Sequence, residues 1–144
     1  MTVHFDFLSP PGVMMIVYEG RSTEAQQNQL FQEMVEVFGV GPFVDSISDM
    51  SALTSSSITG TDMYLQSVVI KKQVEKLPQP IRQALYAPGA LPYGIARMYM
   101  GYADLSPKLD NQIFDDLQAA IDWMGLQGTV DSLFGQRQWR SIAD

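Results

Sequence analysis

The chain has no cysteine, which excludes disulfide bridges, thiolate metal ligands and a thiol nucleophile. It has a single histidine, His4, so a multi-histidine metal centre cannot be assembled. Cations are scarce: nine Lys and Arg stand against 16 Asp and Glu, a formal net charge of -7. That balance leaves no basic face for nucleic acid or for an anionic bilayer. The longest apolar run, Gly12 to Tyr18, falls far short of the ~20 residues of a spanning helix, so no membrane insertion is expected. Met1 to Asp6 carries no basic stretch of the kind that opens a secretory signal, and the cytoplasm is the expected location. Walker A, dinucleotide-fingerprint, EF-hand and zinc patterns are all missing, and no cofactor is expected.

What is present suits one globular core. The 144 residues match a single domain, and 46% hydrophobic with 17% charged residues is the composition of a folded chain. Charge is uneven along it. Residues 1–65 hold one cation, Arg21, and eight acids, whereas the remainder holds eight of each.

Strand and helix signals alternate. Phe5 to Leu8 and Val13 to Glu19 read as strands joined through Pro10-Pro11-Gly12, where proline presets φ and glycine permits positive φ. Thr23, with Gln26 three residues on, has the form of a helix N-cap. Leu30, Phe31, Met34, Val35 and Phe38 then recur at helical spacing up to Gly39. Phe43 to Ile47 reads as a third strand, followed by a polar loop, Ser48 to Gly60. Gly60 or Thr61 is the expected cap of a second helix with Tyr64, Leu65, Val68 and Val69 on one face. Ile81 to Ala87 is a fourth strand. Pro92 opens a third helix with Ile95, Met98, Tyr99 and Tyr102 on one face, and Leu109 to Phe114 is a fifth strand. Asp116 caps a fourth helix, with Gly125 at its C′ position and Leu126 turned back on Ile121. The order ββαβαβαβα implies an α/β fold, a mixed and mostly parallel sheet of four or five strands. Residues 127–144 are expected to form a tail or short helix lying on the domain or on a second subunit.

Three segments resemble the SpoIIAA-like proteins, the fold of the anti-sigma-factor antagonist (STAS) domain, and in particular a branch of small bacterial proteins without assigned activity. They are Tyr18-Glu19-Gly20 with Ser22-Thr23-Glu24, Leu91 to Met98, and Phe114 to Gly125 with Ala120 and Trp123 in its helix. The resemblance covers roughly residues 5–126. It implies helices mainly on one face of the sheet and a function in binding partner proteins. In the antagonist domains a serine at a helix start after the third strand is phosphorylated. The matching stretch here is rich in hydroxyls but lacks the Asp-Ser-Ser-Gly sequence of that family.

Four sets of residues are candidates for function. Ser55, Ser56, Ser57 and Thr59 could form a phosphorylation switch near a helix N-terminus, or simply cap that helix. Tyr93 and Arg97, spaced i,i+4, together with Tyr99, could contact a partner or clamp an anion; stacking of Arg on Tyr is the plainer account. Trp139, beside Arg137 and Arg140, is a candidate partner contact. The methionines, among them Met14, Met15, Met34, Met50, Met63, Met98, Met100 and Met124, could line an apolar pocket or only fill a core. His4 has no sequence neighbour that would make a catalytic pair and reads as a surface residue. Asp45 and Asp49 are weak as metal ligands on their own. The leading expectation is a non-enzymatic regulatory or protein-interaction module that could self-associate as a homodimer. The alternative is a carrier for a small apolar or lipid-like ligand held in a cavity beside the third helix.

Overall fold

The protein is described by a computed structural model covering residues 2–41, 43–103 and 106–143, apart from the side chains of Tyr102 and Ala103. Its elements are β1 (Thr2–Leu8), β2 (Val13–Ser22), α1 (Glu24–Phe38), β3 (Ser46–Ser56), α2 (Gly60–Val74), β4 (Ile81–Tyr86), α3 (Ala90–Ala103), β5 (Leu109–Phe114), α4 (Leu117–Trp123), α5 (Val130–Phe134) and β6 (Arg140–Ala143). Six strands form one sheet in the order β5-β4-β3-β2-β1-β6. The β2–β3, β3–β4 and β4–β5 pairs are parallel, and β1 runs antiparallel to both β2 and β6.

Local chemistry explains the element ends. The Thr23 side chain accepts the Gln26 backbone N–H, satisfying one of the donors that every helix start leaves open. Gly39 ends α1 at φ 71°, a left-handed conformation that glycine reaches without a Cβ clash. Asp116 caps α4 by accepting from the Gln118 N–H. At the far end of α4, Gly125 has φ 74° and Leu126 donates its N–H to the Ile121 carbonyl at 3.2 Å, closing the turn. Arg82 holds that same end: its guanidinium donates to the Trp123 carbonyl at 2.7 Å and sits 5.0 Å from the centre of the indole ring.

The sheet is covered on both sides. On one face Val3, Phe5, Met14, Ile16 and Ile142 pack against Leu30 and Met34 of α1 and Ala96 of α3. Phe5 meets Phe38 edge-on, with ring centres 5.9 Å apart. On the other face Val13, Met15, Ile47 and Ala84 pack against Ala120 and Ile121 of α4 and Leu133 of α5. Each fully buried side chain of this size contributes about 1.5–3 kcal/mol through removal from water.

Three local expectations are corrected. The third strand does not stop at Ile47 but runs to Ser56, because serines along it occupy ladder positions beside β2 as far as Ser56. The polar loop therefore shrinks to residues 57–59. The cap of α2 is Thr59, not Gly60 or Thr61: Thr59 accepts the Asp62 N–H at 3.1 Å, and the Asp62 carboxylate accepts the Thr59 N–H at 2.9 Å. The apolar stripe of α2 is largely exposed, with Tyr64 52%, Leu65 59%, Val68 42% and Val69 60% exposed. The helix is anchored instead by Met63 and by Val74, which packs with Ile81 and Leu109. The chain beyond 127 adds α5 to the second core and β6 to the edge of the sheet beside β1.

Candidate functional site

The outward set of α2 has a consequence beneath it. Because α2 leans mainly on α3 and reaches the strands through Val74 at its C-terminal end, a space remains between the helices and the sheet. This cavity has a volume of about 630 Å³. Its floor is Met14, Ile16 and Tyr18 of β2, Met50 and Leu53 of β3, and Leu85 of β4. Phe31 and Met34 of α1 form one wall, and Ile95 and Tyr99 of α3 the other. Met63, Leu65, Val69 and Ile70 of α2 form the roof. Thus Met14, Met34, Met50 and Met63 meet at one site, whereas Met15 and Met124 belong to the core on the opposite face.

Polar groups of the lining are neutral apart from two carboxylates at its edge. The Tyr18 hydroxyl donates to Gln27 Oε1 at 3.2 Å, linking β2 to α1. The Tyr99 hydroxyl donates to Gln83 Oε1 at the same distance, linking α3 to β4. Burial pushes the Tyr18 phenol up to about 12, against a smaller lowering by its bond to Gln27, and burial likewise raises Tyr99 to about 12. Both phenols therefore stay protonated at any physiological pH. Ser46 and Ser48 add buried hydroxyls from β3. Glu24 and Asp62 are the carboxylates among the lining residues, at the helix starts. Asp62 is held below the usual carboxylate range by the hydrogen bond it accepts from the Thr59 backbone.

The structure separates the other candidates. Of the partner-contact set, Tyr99 lines the cavity, while Tyr93 (50% exposed) and Arg97 lie on the outside of α3. Trp139 lies on the far side of the sheet against Phe134, ring centres 6.1 Å apart. Ser55 and Ser56 are strand residues; Ser56 accepts the Ile58 N–H, and its side chain borders the cavity. Ser57 bonds back to the Ser22 carbonyl, and Thr59 makes the cap already described. Asp45 accepts the Arg82 N–H at 2.9 Å, and Asp49 accepts from the Ser51 hydroxyl at 2.6 Å. No group of three or more metal-ligating side chains occurs among the described residues, and none of the helices described is long and apolar enough to cross a membrane.

His4 is not the isolated surface residue its sequence position suggests. Pairing of β1 with β6 and β2 brings its Nδ1 within 2.6 Å of the Ser141 hydroxyl and its Nε2 within 3.3 Å of the Glu19 carboxylate. A serine, a histidine and a carboxylate thus touch in series, an arrangement no local motif announces. Hydrolysis also requires oxyanion donors and an enclosed substrate position. This series lies on the sheet surface away from the cavity, Glu19 is 54% exposed, and the backbone N–H groups of a sheet interior are committed to the strand ladders.

Comparison with known proteins supports the fold. No family model matches the chain, and no curated protein matches it. The chain is similar to a crystal structure of an uncharacterised DUF3478-family protein with a SpoIIAA-like fold from Shewanella loihica. The two superpose with a TM-score of 0.54 at 15% identity, over 85% of this chain and 91% of that one. The fold is accordingly SpoIIAA-like: a mixed, mostly parallel sheet with flanking helices.

Proposed function

We propose that this protein binds a small apolar molecule in the cavity between the α1–α2–α3 layer and the sheet. The single observation that carries this reading is the cavity itself: about 630 Å³, within the roughly 300–1,000 Å³ of small-molecule sites, and walled mainly by Met, Leu, Ile and aromatic side chains. An apolar space of this size offers a guest hydrocarbon dispersion contacts along its lining. Its lining suits that role, since methionine adapts its shape to irregular guests.

Two features support binding rather than catalysis. Apart from Glu24 and Asp62 at its edge, the polar groups of the cavity are neutral, with each phenol held by a glutamine, and its described lining carries no nucleophile paired with a base. The helix that closes it, α2, is attached mostly through α3 and its own C-terminal end, so the roof is the element best placed to move when a guest enters. A regulatory role through a partner protein has one observation in its favour, the exposed Tyr64, Leu65, Val68 and Val69. In a carrier Tyr64 and Val68 are the outside of the lid, while Leu65 and Val69 also border the cavity.

The test is fluorescence titration of the full chain with N-phenyl-1-naphthylamine, a neutral apolar dye, alongside native mass spectrometry of freshly purified protein. Saturable dye uptake at one site, or a retained apolar mass, is the expected result. Absence of both would sink the proposal.

A further inference from the structure

The charge and polarity of the cavity say more about its guest. Among the described residues that line it there is no Lys, Arg or His, and Glu24 and Asp62 are carboxylates at its edge. The neutral polar groups of the lining include the phenols of Tyr18 and Tyr99, the amides of Gln27 and Gln83, and the hydroxyls of Ser46 and Ser48.

From this arrangement, and resting on the apolar-cavity reading above, we infer that the site selects an apolar molecule with an uncharged hydrogen-bonding end, such as a long-chain alcohol or amide, and rejects the corresponding free carboxylate or phosphate.

The argument is one of desolvation. An ion moved from water into such a space loses several kcal/mol of hydration, which only a well-placed opposite charge can restore. No cation lines this cavity to restore it. The two edge carboxylates act in the same direction, repelling an anionic head as it enters. A hydroxyl or amide head has no such penalty, provided it finds partners. The site offers both kinds. Each phenol gives its proton to a glutamine oxygen, which leaves the phenol oxygen free to accept and the glutamine NH₂ free to donate. The phenols cannot supply anion repulsion or attraction of their own, because burial keeps them protonated.

The experiment is displacement of N-phenyl-1-naphthylamine from the full-length protein by dodecanol and by dodecanoate at neutral pH. Dodecanol should displace the dye at a concentration at least about tenfold lower than dodecanoate, a difference of about 1.4 kcal/mol. Equal displacement, or better displacement by dodecanoate, would overturn the inference and leave the cavity reading standing, since the dye was bound and displaced. If the dye does not bind and no apolar mass is retained, the cavity reading fails and the inference falls with it. Gln83→Leu adds a second readout: the advantage of dodecanol over dodecanoate should shrink. Full retention of that advantage would show that the alcohol is not held by the Tyr99–Gln83 pair.

Discussion

The Tyr99 hydroxyl reaches Gln83 Oε1 at 3.2 Å, so that α3 is tied to β4 by a neutral hydrogen bond inside an apolar cavity. Removing the hydroxyl leaves the Gln83 oxygen without its donor in a place where water is scarce. Tyr99→Phe should therefore lower stability by about 1 kcal/mol, read as a reduced urea midpoint with unchanged slope. A change in slope would mean that α3 itself had loosened.

Filling the cavity separates a binding role from a structural one. Met63 is on the roof helix and 8% exposed. Its replacement by Trp directs an indole into the space without displacing a strand. Met63→Trp should abolish uptake of the neutral dye while stability moves by no more than about 1–3 kcal/mol, the ordinary range for overpacking. Undiminished dye binding in a folded variant would place the dye elsewhere.

The cap of α2 controls how firmly that roof is held. Thr59→Ala removes the hydroxyl that accepts the Asp62 N–H, and a lost N-cap costs about 0.5–2 kcal/mol. Asp62 adds a pH dependence. Its folded pKa is lowered from 3.8, so its contribution is present above that value and is lost as pH falls through the lowered one. Protection against hydrogen exchange, relative to the intrinsic rate at the same pH, should fall over residues 60–74 in Thr59→Ala, and in the parent protein on acidification below about pH 4. A uniform fall across the sheet would contradict a local role.

The phenols give the opposite dependence. Tyr18 and Tyr99 ionise near 12 in the folded chain against 10 in the unfolded one. Their contribution is complete below pH 10 and is lost as pH rises toward about 12, because the unfolded chain releases protons that the folded chain keeps. Thermal midpoints should fall across that window, and the phenolate absorbance of these two residues should appear only there. In Tyr99→Phe the fall should be smaller.

Much of this was legible in local sequence, and the reason is that caps and turns are local devices. Thr23, Gly39, Asp116 and Gly125 act within four residues of themselves, and each stands at the helix end its residue type indicates. The extent of β3 was hidden because Ser46, Ser48, Ser51, Ser55 and Ser56 look like a loop until β2 and β4 are laid beside them. The register shifts between Val17 and Glu19 and between Gly20 and Arg21 also break the alternation that would have marked the pairing. The cavity was legible only as a surplus of methionine. Apolar spacing on α2 shows that a stripe exists, but whether it closes on the sheet depends on where Val74 anchors the helix. The contact between His4 and Ser141 joins residues 137 positions apart, and Arg140–Ala143 is too short and too mixed to read as a strand.

That last strand carries a prediction of its own. Ile142 is 3% exposed and lies in the core with Val3, Phe5 and Met34, while Arg140 to Ala143 pair with Phe5 to Thr2 and so cover the edge of β1. Ile142→Ala should cost roughly 2–5 kcal/mol, the range for deleting a buried aliphatic side chain. Ending the chain after Gln138 should do something different in kind, because it bares the N–H and C=O groups of β1 as an open edge for another chain to pair with. The shortened protein should aggregate with rising concentration, whereas Ile142→Ala should remain dispersed and merely melt earlier. Light scattering of the two at matched concentration distinguishes these outcomes. A truncated chain that stays monomeric and as stable as the parent would mean that β6 does not hold this edge in solution.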